Sequence, residues 1–249
     1  MDGVLYVGER PMPCLTEFIA FLRRQGIGHV LATNNSGLTP TQYAAKLAGM
    51  DADVSPDHIL TSATATAEWL ARQYRPATRV HVFGEDSLRE AMTDAGFVLA
   101  DEGVEVVVAS IDWGVSYDKI KRAALLIRGG ARFVATNLDP TRPTEEGLVP
   151  GTGAIVAAIA VAAGVTPVAI GKPEPAMFEL AMARMGATPA STATLGDRID
   201  TDMEGGARAG CATILVLSGS TTREEAEAYG PDFLFEDIVD LLRCWQRQV

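Results

Sequence analysis

Short β-rich apolar runs alternate with helical patterns along almost the whole of this 249-residue chain. The runs fall at residues 4–7, 29–33, 80–83, 105–110, 132–137, 168–170, 193–195 and 213–217. Between the first two, Leu15, Phe18, Ile19 and Leu22 recur at i, i+3, i+4 and i+7. That spacing predicts a helix with one buried face, and Gly26 supplies its stop. Alternation of this kind constrains the fold to the α/β class, βαβ units around a parallel sheet. Right-handed crossovers then gather the strand ends, and any ligand site, at one edge.

Two segments interrupt the pattern. Residues 8–13 form a Gly/Pro-punctuated loop directly after the first run, suited to a flap over a site. A second interval, 136 residues between Asn35 and Lys172, is far longer than one crossover and carries its own strand–helix series. It predicts an inserted α/β domain over residues 76–167, bounded near Arg75-Pro76 and Thr166-Pro167, within a core formed by residues 1–75 and 168–249.

A net charge of −11 and a pI near 4.7 argue against nucleic acid or anionic lipid held by bulk attraction. If the substrate is a phosphate ester, its counter-charge must be local, a lysine or a metal. Cys14, Cys211 and Cys244 are far apart and lack metal-ligand spacing, which fits reduced thiols in a cytoplasmic protein. The most apolar run, residues 154–163, is shorter than the ~20 residues of a membrane helix. Its alanine content predicts a buried helix. No secretory signal is visible at the N-terminus.

Four polar clusters stand at or just beyond these runs. His29-Val-Leu-Ala-Thr33-Asn34-Asn35-Ser36 ends an apolar strand in small polar residues that can offer donors to a phosphoryl group. The same residues also read as the polar cap of the next helix. Lys172, in Ala169-Ile-Gly-Lys-Pro, is a rigidly aimed cation at a strand end, or else a surface lysine in a turn. In Thr194-Leu-Gly-Asp197-Arg-Ile-Asp200-Thr-Asp202, hard oxygens cluster with no His or Cys nearby, which suits Mg²⁺. Three acids in six residues exceed what one helix cap requires. The fourth cluster is Asp2-Gly3-Val4 at the start of the chain.

In order and setting these four resemble the motifs of the haloacid dehalogenase-like (HAD) phosphotransferases: Asp-x-Asp-Gly, the Thr-Asn-Asn segment, Gly-Lys-Pro and Gly-Asp-Arg-x-x-Thr-Asp. The resemblance covers essentially the whole chain and implies a Rossmann-like parallel-sheet core with an inserted α/β cap. The cap's place between the second and third motifs is similar to the subclass that includes p-nitrophenyl phosphatase, phosphoglycolate phosphatase and pyridoxal phosphatase. Thr136-Asn-Leu-Asp139-Pro…Arg142-Pro…Pro150-Gly-Thr-Gly153 also looks like that subclass's cap segment.

The resemblance implies that Asp2 is the general acid/base and ligates Mg²⁺ through its carbonyl. Thr33, Asn34 and Asn35 would bind phosphoryl oxygens, and Lys172 would balance charge. Asp197 would be the direct ligand to Mg²⁺, with Asp202 orienting metal-bound water. The mechanism would run through an aspartyl-phosphate and its hydrolysis. The family's attacking Asp falls immediately before Met1, so no residue of 1–249 takes that position, and turnover by this chain as numbered is expected to be impaired. Arg142 would contact a carboxylate or second anionic group of the substrate, unless it is a solvated loop residue. Trp113 and Tyr117 read as packing residues. The expectation is a Mg²⁺-dependent phosphomonoesterase acting on a small phosphorylated metabolite. Dimerisation through the cap is common in that subclass. The alternatives are a non-catalytic phosphometabolite-binding protein and a sugar-phosphate mutase.

Overall fold

The computed structural model describes residues 1–144 and 146–247. It divides into two compact units, Met1–Ala32 with Pro40–Leu60 and Lys172–Val249, and Thr33–Thr39 with Thr61–Gly171.

In the first unit, strands Ala193–Gly196, Ala212–Val216 and Phe233–Phe235 form a parallel sheet with Leu195 opposite Ile214 and Ile214 opposite Phe233. Helix Leu15–Arg24 buries Leu15, Phe18, Ile19 and Leu22, the four positions picked out by periodicity, and also Phe21. Gly26 follows it at φ +64, a left-handed conformation that glycine adopts without steric cost. Phe18 and Phe21 stack on Trp245 of helix Ile238–Gln246, which Asp237 caps through the N–H groups of Val239 and Asp240. The expected first strand is shorter than residues 4–7. Gly3 to Leu5 form a turn, and Tyr6–Val7 pairs antiparallel with Arg10–Pro11. The flap segment is therefore a tight hairpin, its corner made by Gly8 at φ +61.

The second unit has a five-stranded parallel sheet, ordered Val168–Ala169, Arg132–Ala135, Val106–Ala109, Arg79–Phe83 and Val98–Leu99. Val106–Ala109 is buried throughout, as a central strand covered on both faces must be. Phe83, Val107, Ala123, Ile127, Phe133, Val156 and Ile159 form the core beside it. Burying one such side chain stabilises by about 1.5–3 kcal/mol. The outer strands are only two residues long, which limits edge pairing.

This unit contains all of residues 76–167 and adds 33–39, 61–75 and 168–171. Two contacts explain the wider bounds. Val168–Ala169 pairs with Val134–Ala135, and Trp69 of helix Ser62–Ala71 lies under the Arg132 guanidinium at 5.4 Å. The alanine-rich run is a helix, Thr152–Ala163, but it is not buried all round. Val156, Ile159 and Ala163 face the core while Val161 is 84% exposed. Composition without apolar periodicity hid that outer face. Among the described residues, no helix is long and apolar enough to cross a membrane.

Candidate active site

Asp197, Asp202 and Lys172 meet in the first unit. Strand Ala193–Gly196 delivers Asp197, and a π-helical turn, Ile199–Met203, holds Asp202 before helix Glu204–Arg208 begins. Such turns recur where a side chain must be re-aimed. Lys172 Nζ donates to Asp202 Oδ1 at 2.6 Å, both side chains being about nine-tenths buried. The other Asp202 oxygen accepts from the Arg198 N–H at 3.3 Å. The remaining acid of the cluster, Asp200, is turned outward against Arg198 in a two-point ion pair.

Glycines make room for these carboxylates. A Cβ on Gly196 would stand 2.2 Å from Asp202 Cβ, and one on Gly3 or Gly219 would stand 2.5 or 2.1 Å from Asp197 side-chain atoms. Asp197 Oδ2 accepts from the Ser220 N–H at 3.0 Å, and the Thr221 hydroxyl donates to its main-chain oxygen. Among the described residues no hydrogen bond reaches Asp197 Oδ1. Burial first, then the Asp202 charge, pushes the Asp197 carboxyl above its ordinary range. Burial is the largest influence on Asp202 and acts to raise it, but the Lys172 ammonium, the N-terminal ammonium and the Arg198 N–H together outweigh it and hold that carboxyl low. Asp202 therefore has its cation in contact, whereas at Asp197 the Ser220 N–H, the N-terminal ammonium and Lys172 offset the burial only in part.

No group of three or more His, Cys, Asp or Glu is placed to hold a metal among the described residues. Magnesium needs only one or two carboxylates and fills its shell with water. The underpartnered Asp197 oxygen, beside the Asp2-Gly3 backbone, fits that requirement.

Asp2 Oδ1 accepts from the Gly3 N–H at 3.0 Å and from the Gly8 N–H of the hairpin at 3.3 Å. The hairpin is itself tied down. Lys46 Nζ donates to the Gly8 carbonyl and to Glu9, and lies 4.6 Å from the Tyr6 ring.

Thr33, Asn34 and Asn35 belong to the second unit, and so does Arg142. Thr33 is half-buried, its hydroxyl accepting the Asn35 N–H at 3.2 Å. Asn34 is buried, and its amide donates to Asp139 at 3.1 Å. Asn35 is exposed, its side-chain oxygen accepting the Gly37 N–H. Arg142, on strand Thr141–Thr144, sits with its guanidinium 4.9 Å from the Trp113 ring centre. Trp113 is 58% exposed and Tyr117 79%, so neither is the packing residue the sequence suggested. Trp113 is a flat surface carrying a cation. Nothing in the spacing of Trp113 and Arg142 announced their contact.

The Lys172–Asp202 pair carries a testable consequence. Lys172→Met should cost about 3–5 kcal/mol, because Asp202 stays buried without its cation. In the parent, the depressed Asp202 value gives stability that is present above the unfolded value and lost as pH falls through the folded one. In the variant, burial is opposed only by the N-terminal ammonium and the Arg198 N–H, so Asp202 protonates more readily on folding. The gap between urea midpoints should therefore narrow from pH 7.5 to pH 4.5. A gap constant over that range counts against the pair.

Comparison with known proteins gives the family. A haloacid dehalogenase-like hydrolase profile matches residues 1–98, and a HAD-hydrolase-like profile matches residues 169–241. An acid sugar phosphatase of Staphylococcus aureus is 39% identical over 96% of this chain and 93% of its own length. A p-nitrophenyl phosphatase from Archaeoglobus fulgidus superposes with a TM-score of 0.92 at 31% identity, over 98% of this chain and 96% of that one. A glycerol phosphate phosphatase of Mycobacterium tuberculosis, solved in complex with magnesium, gives 0.88 at 31% identity, over 97% of this chain and 74% of that one. With the strand-end acids, the paired lysine and these relatives together, the chain belongs to the haloacid dehalogenase-like hydrolases and is a phosphatase of their capped, p-nitrophenyl phosphatase type.

Proposed function

We propose that this protein hydrolyses the monoester of a small phosphorylated metabolite in the cytoplasm, with Mg²⁺ as its cofactor. The observation that carries the reading is the buried Asp197, whose burial is only partly offset and whose one side-chain hydrogen bond among the described residues goes to Oδ2, beside the Lys172–Asp202 pair. Asp197 and the Asp2 carbonyl would hold the metal, with Asp202 orienting its water. When bound, the ion would offset charge on the phosphoryl oxygens. Lys172, kept in place by Asp202, supplies the fixed positive charge. Asp2 handles the proton. Its Oδ1 is engaged by the N–H groups of Gly3 and Gly8, leaving Oδ2 to give a proton to the leaving oxygen and to take one from water. Thr33, Asn34 and Asn35 form the phosphoryl-contacting segment, Asn34 through its backbone since its amide is turned to Asp139.

The attacking carboxylate of the family mechanism takes the position directly before Met1. The second reading is a phosphometabolite-binding protein. A screen of phosphorylated metabolites against 1–249, and against the same polypeptide extended by an upstream Asp, separates the two. Self-association through the inserted segment belongs to the same proposal, supported by the exposed Val161 face of helix Thr152–Ala163.

Arg142, resting on Trp113, is the proposed contact for a second anionic or hydroxyl-bearing part of the substrate. Arg142→Ala should change the ranking of substrates more than it changes hydrolysis of p-nitrophenyl phosphate. A small aryl ester has nothing remote to offer that arginine. The check is kcat/KM over a metabolite panel in the extended polypeptide. Equal losses everywhere, or none, would return Arg142 to a solvated surface role.

A further inference from the structure

We propose that Asn137 and Asp139 are positioning residues that set the orientation of the segment Thr33–Asn35 by clamping Asn34 from both its backbone and its side chain. The inference rests on reading that segment as the phosphoryl contact.

Asn137 follows strand Arg132–Ala135 and is buried. Its Oδ1 accepts the Asp139 N–H at 3.1 Å, which fixes the sense of the amide. The Nδ2 then donates to the Asn34 carbonyl at 2.8 Å, with Thr152 Oγ1 at 3.4 Å. Ser62 Oγ donates to the same carbonyl at 2.6 Å. A carbonyl holding two buried donors cannot rotate without abandoning one, so the 34–35 peptide plane is fixed. On the side-chain side, Asn34 Nδ2 donates to Asp139 Oδ2 at 3.1 Å. Asn34 Oδ1 is pressed towards Gly171, where a Cβ would come within 2.7 Å of it.

The next inward residue is anchored in the same way. Ser36 and Ser110 share a hydroxyl hydrogen bond of 2.5 Å, Ser110 and Thr136 one of 2.7 Å, and Ser87 Oγ donates to the Ser36 carbonyl. All four of these residues are buried. Residues 34 and 36 are thus fastened to the C-terminal ends of strands Val106–Ala109 and Arg132–Ala135, and the exposed Asn35 projects between them. The clamp is itself held. Gly153 N–H donates to the Asp139 carbonyl at 2.8 Å, and a Cβ on Gly151 or Gly153 would lie 2.4 or 2.3 Å from the Asp139 or Leu138 carbonyl oxygen. This arrangement accounts for the small residues of the Pro150-Gly-Thr-Gly153 stretch. It also explains why residues 33–39 group with the second unit.

The test uses inorganic phosphate as the probe, titrated calorimetrically into the 1–249 protein with Mg²⁺. Asp139→Ala and Asn137→Ala should weaken phosphate binding by roughly tenfold or more, the scale of loss when a contact segment is misplaced. Asp139→Asn should bind like the parent, because its amide oxygen still accepts from Asn34. Rescue by Asn but not Ala is not expected of a residue that only fills space. Thr33→Ala and Asn35→Ala separate the layers of the argument. If they leave phosphate binding unchanged, the phosphoryl-contact reading fails; if they weaken it while folded Asp139→Ala and Asn137→Ala do not, only the clamp fails. The parent protein gives a check that needs neither binding nor a variant. By NMR, the Asn34 side-chain amide should exchange with solvent far more slowly than the Asn35 side-chain amide. Equal, solvent-like exchange at both would overturn the proposal.

Discussion

Adding one Asp directly before Met1 is expected to raise turnover of p-nitrophenyl phosphate by several orders of magnitude over the 1–249 polypeptide, the scale of what a covalent nucleophile contributes. Asp2 is a poor substitute for it. Alternate residues of an extended chain share a face but stand about two residues of rise, ~6.5 Å, apart. Asp2 is also fixed, since the N–H groups of Gly3 and Gly8 hold one of its oxygens. Releasing it to attack would undo the corner of the Tyr6–Val7 hairpin. The added residue would not hang loosely. Met1 is already held, its carbonyl accepting the N–H groups of Val4 at 3.2 Å and Leu5 at 2.8 Å. A peptide bond to Met1 therefore places the new carboxylate one residue from a fixed point. An Asn at the same added position is the control, matching size without nucleophilicity. Robust activity from mass-verified 1–249 protein, or equal activity from the Asp and Asn forms, would defeat this account of the mechanism.

Legibility of the fold followed the strength of local periodicity. Helix Leu15–Arg24 and the central strands near residues 80, 106, 132, 193 and 213 lie where apolar spacing puts them, because burial on one or both faces writes directly into sequence. Of the short edge elements, Val168–Ala169 was marked by its apolar run, but others did not show. Val98–Leu99 is two residues long, and Ile59–Thr61 and Phe233–Phe235 are three each, too few for an alternation to register. The hairpin of Thr141–Thr144 with Gly147–Pro150 includes Pro143 and Pro150, residues that argue against a strand unless it stands at an edge.

The candidate site was legible as a set of strand-end residues but not as a set of contacts. Nothing local to Lys172 and Asp202, thirty positions apart, indicates a 2.6 Å ion pair. Asn34 reads identically whether its amide faces a ligand or Asp139; only the fold decides, by bringing Asp139, 105 positions away, to that amide. Glycines were undervalued for the same reason. Gly196 and Gly219 look like ordinary turn residues in sequence, and their need for bare Cα atoms emerges only with the carboxylates that rest on them. Long-range polar contacts carry specificity that short windows of sequence do not contain.

Replacing Asp197 with Asn should leave the fold intact, abolish the Mg²⁺-dependent rise in melting temperature and remove turnover in the Asp-extended form. The two halves of that expectation come from one fact. Burial and the neighbouring Asp202 make the Asp197 charge costly in the folded protein and push its carboxyl above the ordinary range. An uncharged amide of the same shape removes that cost, and an oxygen remains to accept from the Ser220 N–H. Without metal, the variant should therefore melt at or above the parent's temperature. With metal the order should reverse. A ligand bound only by the folded state stabilises in proportion to RT ln(1 + [L]/Kd), and the variant lacks the charged oxygen that would hold the ion. Asp200→Asn is the matched control, because that carboxylate is turned outward to Arg198 and should retain the full Mg²⁺ response. A folded Asp197→Asn protein whose melting temperature still rises with Mg²⁺ as the parent's does would place the cation elsewhere and remove the observation on which the proposed chemistry rests.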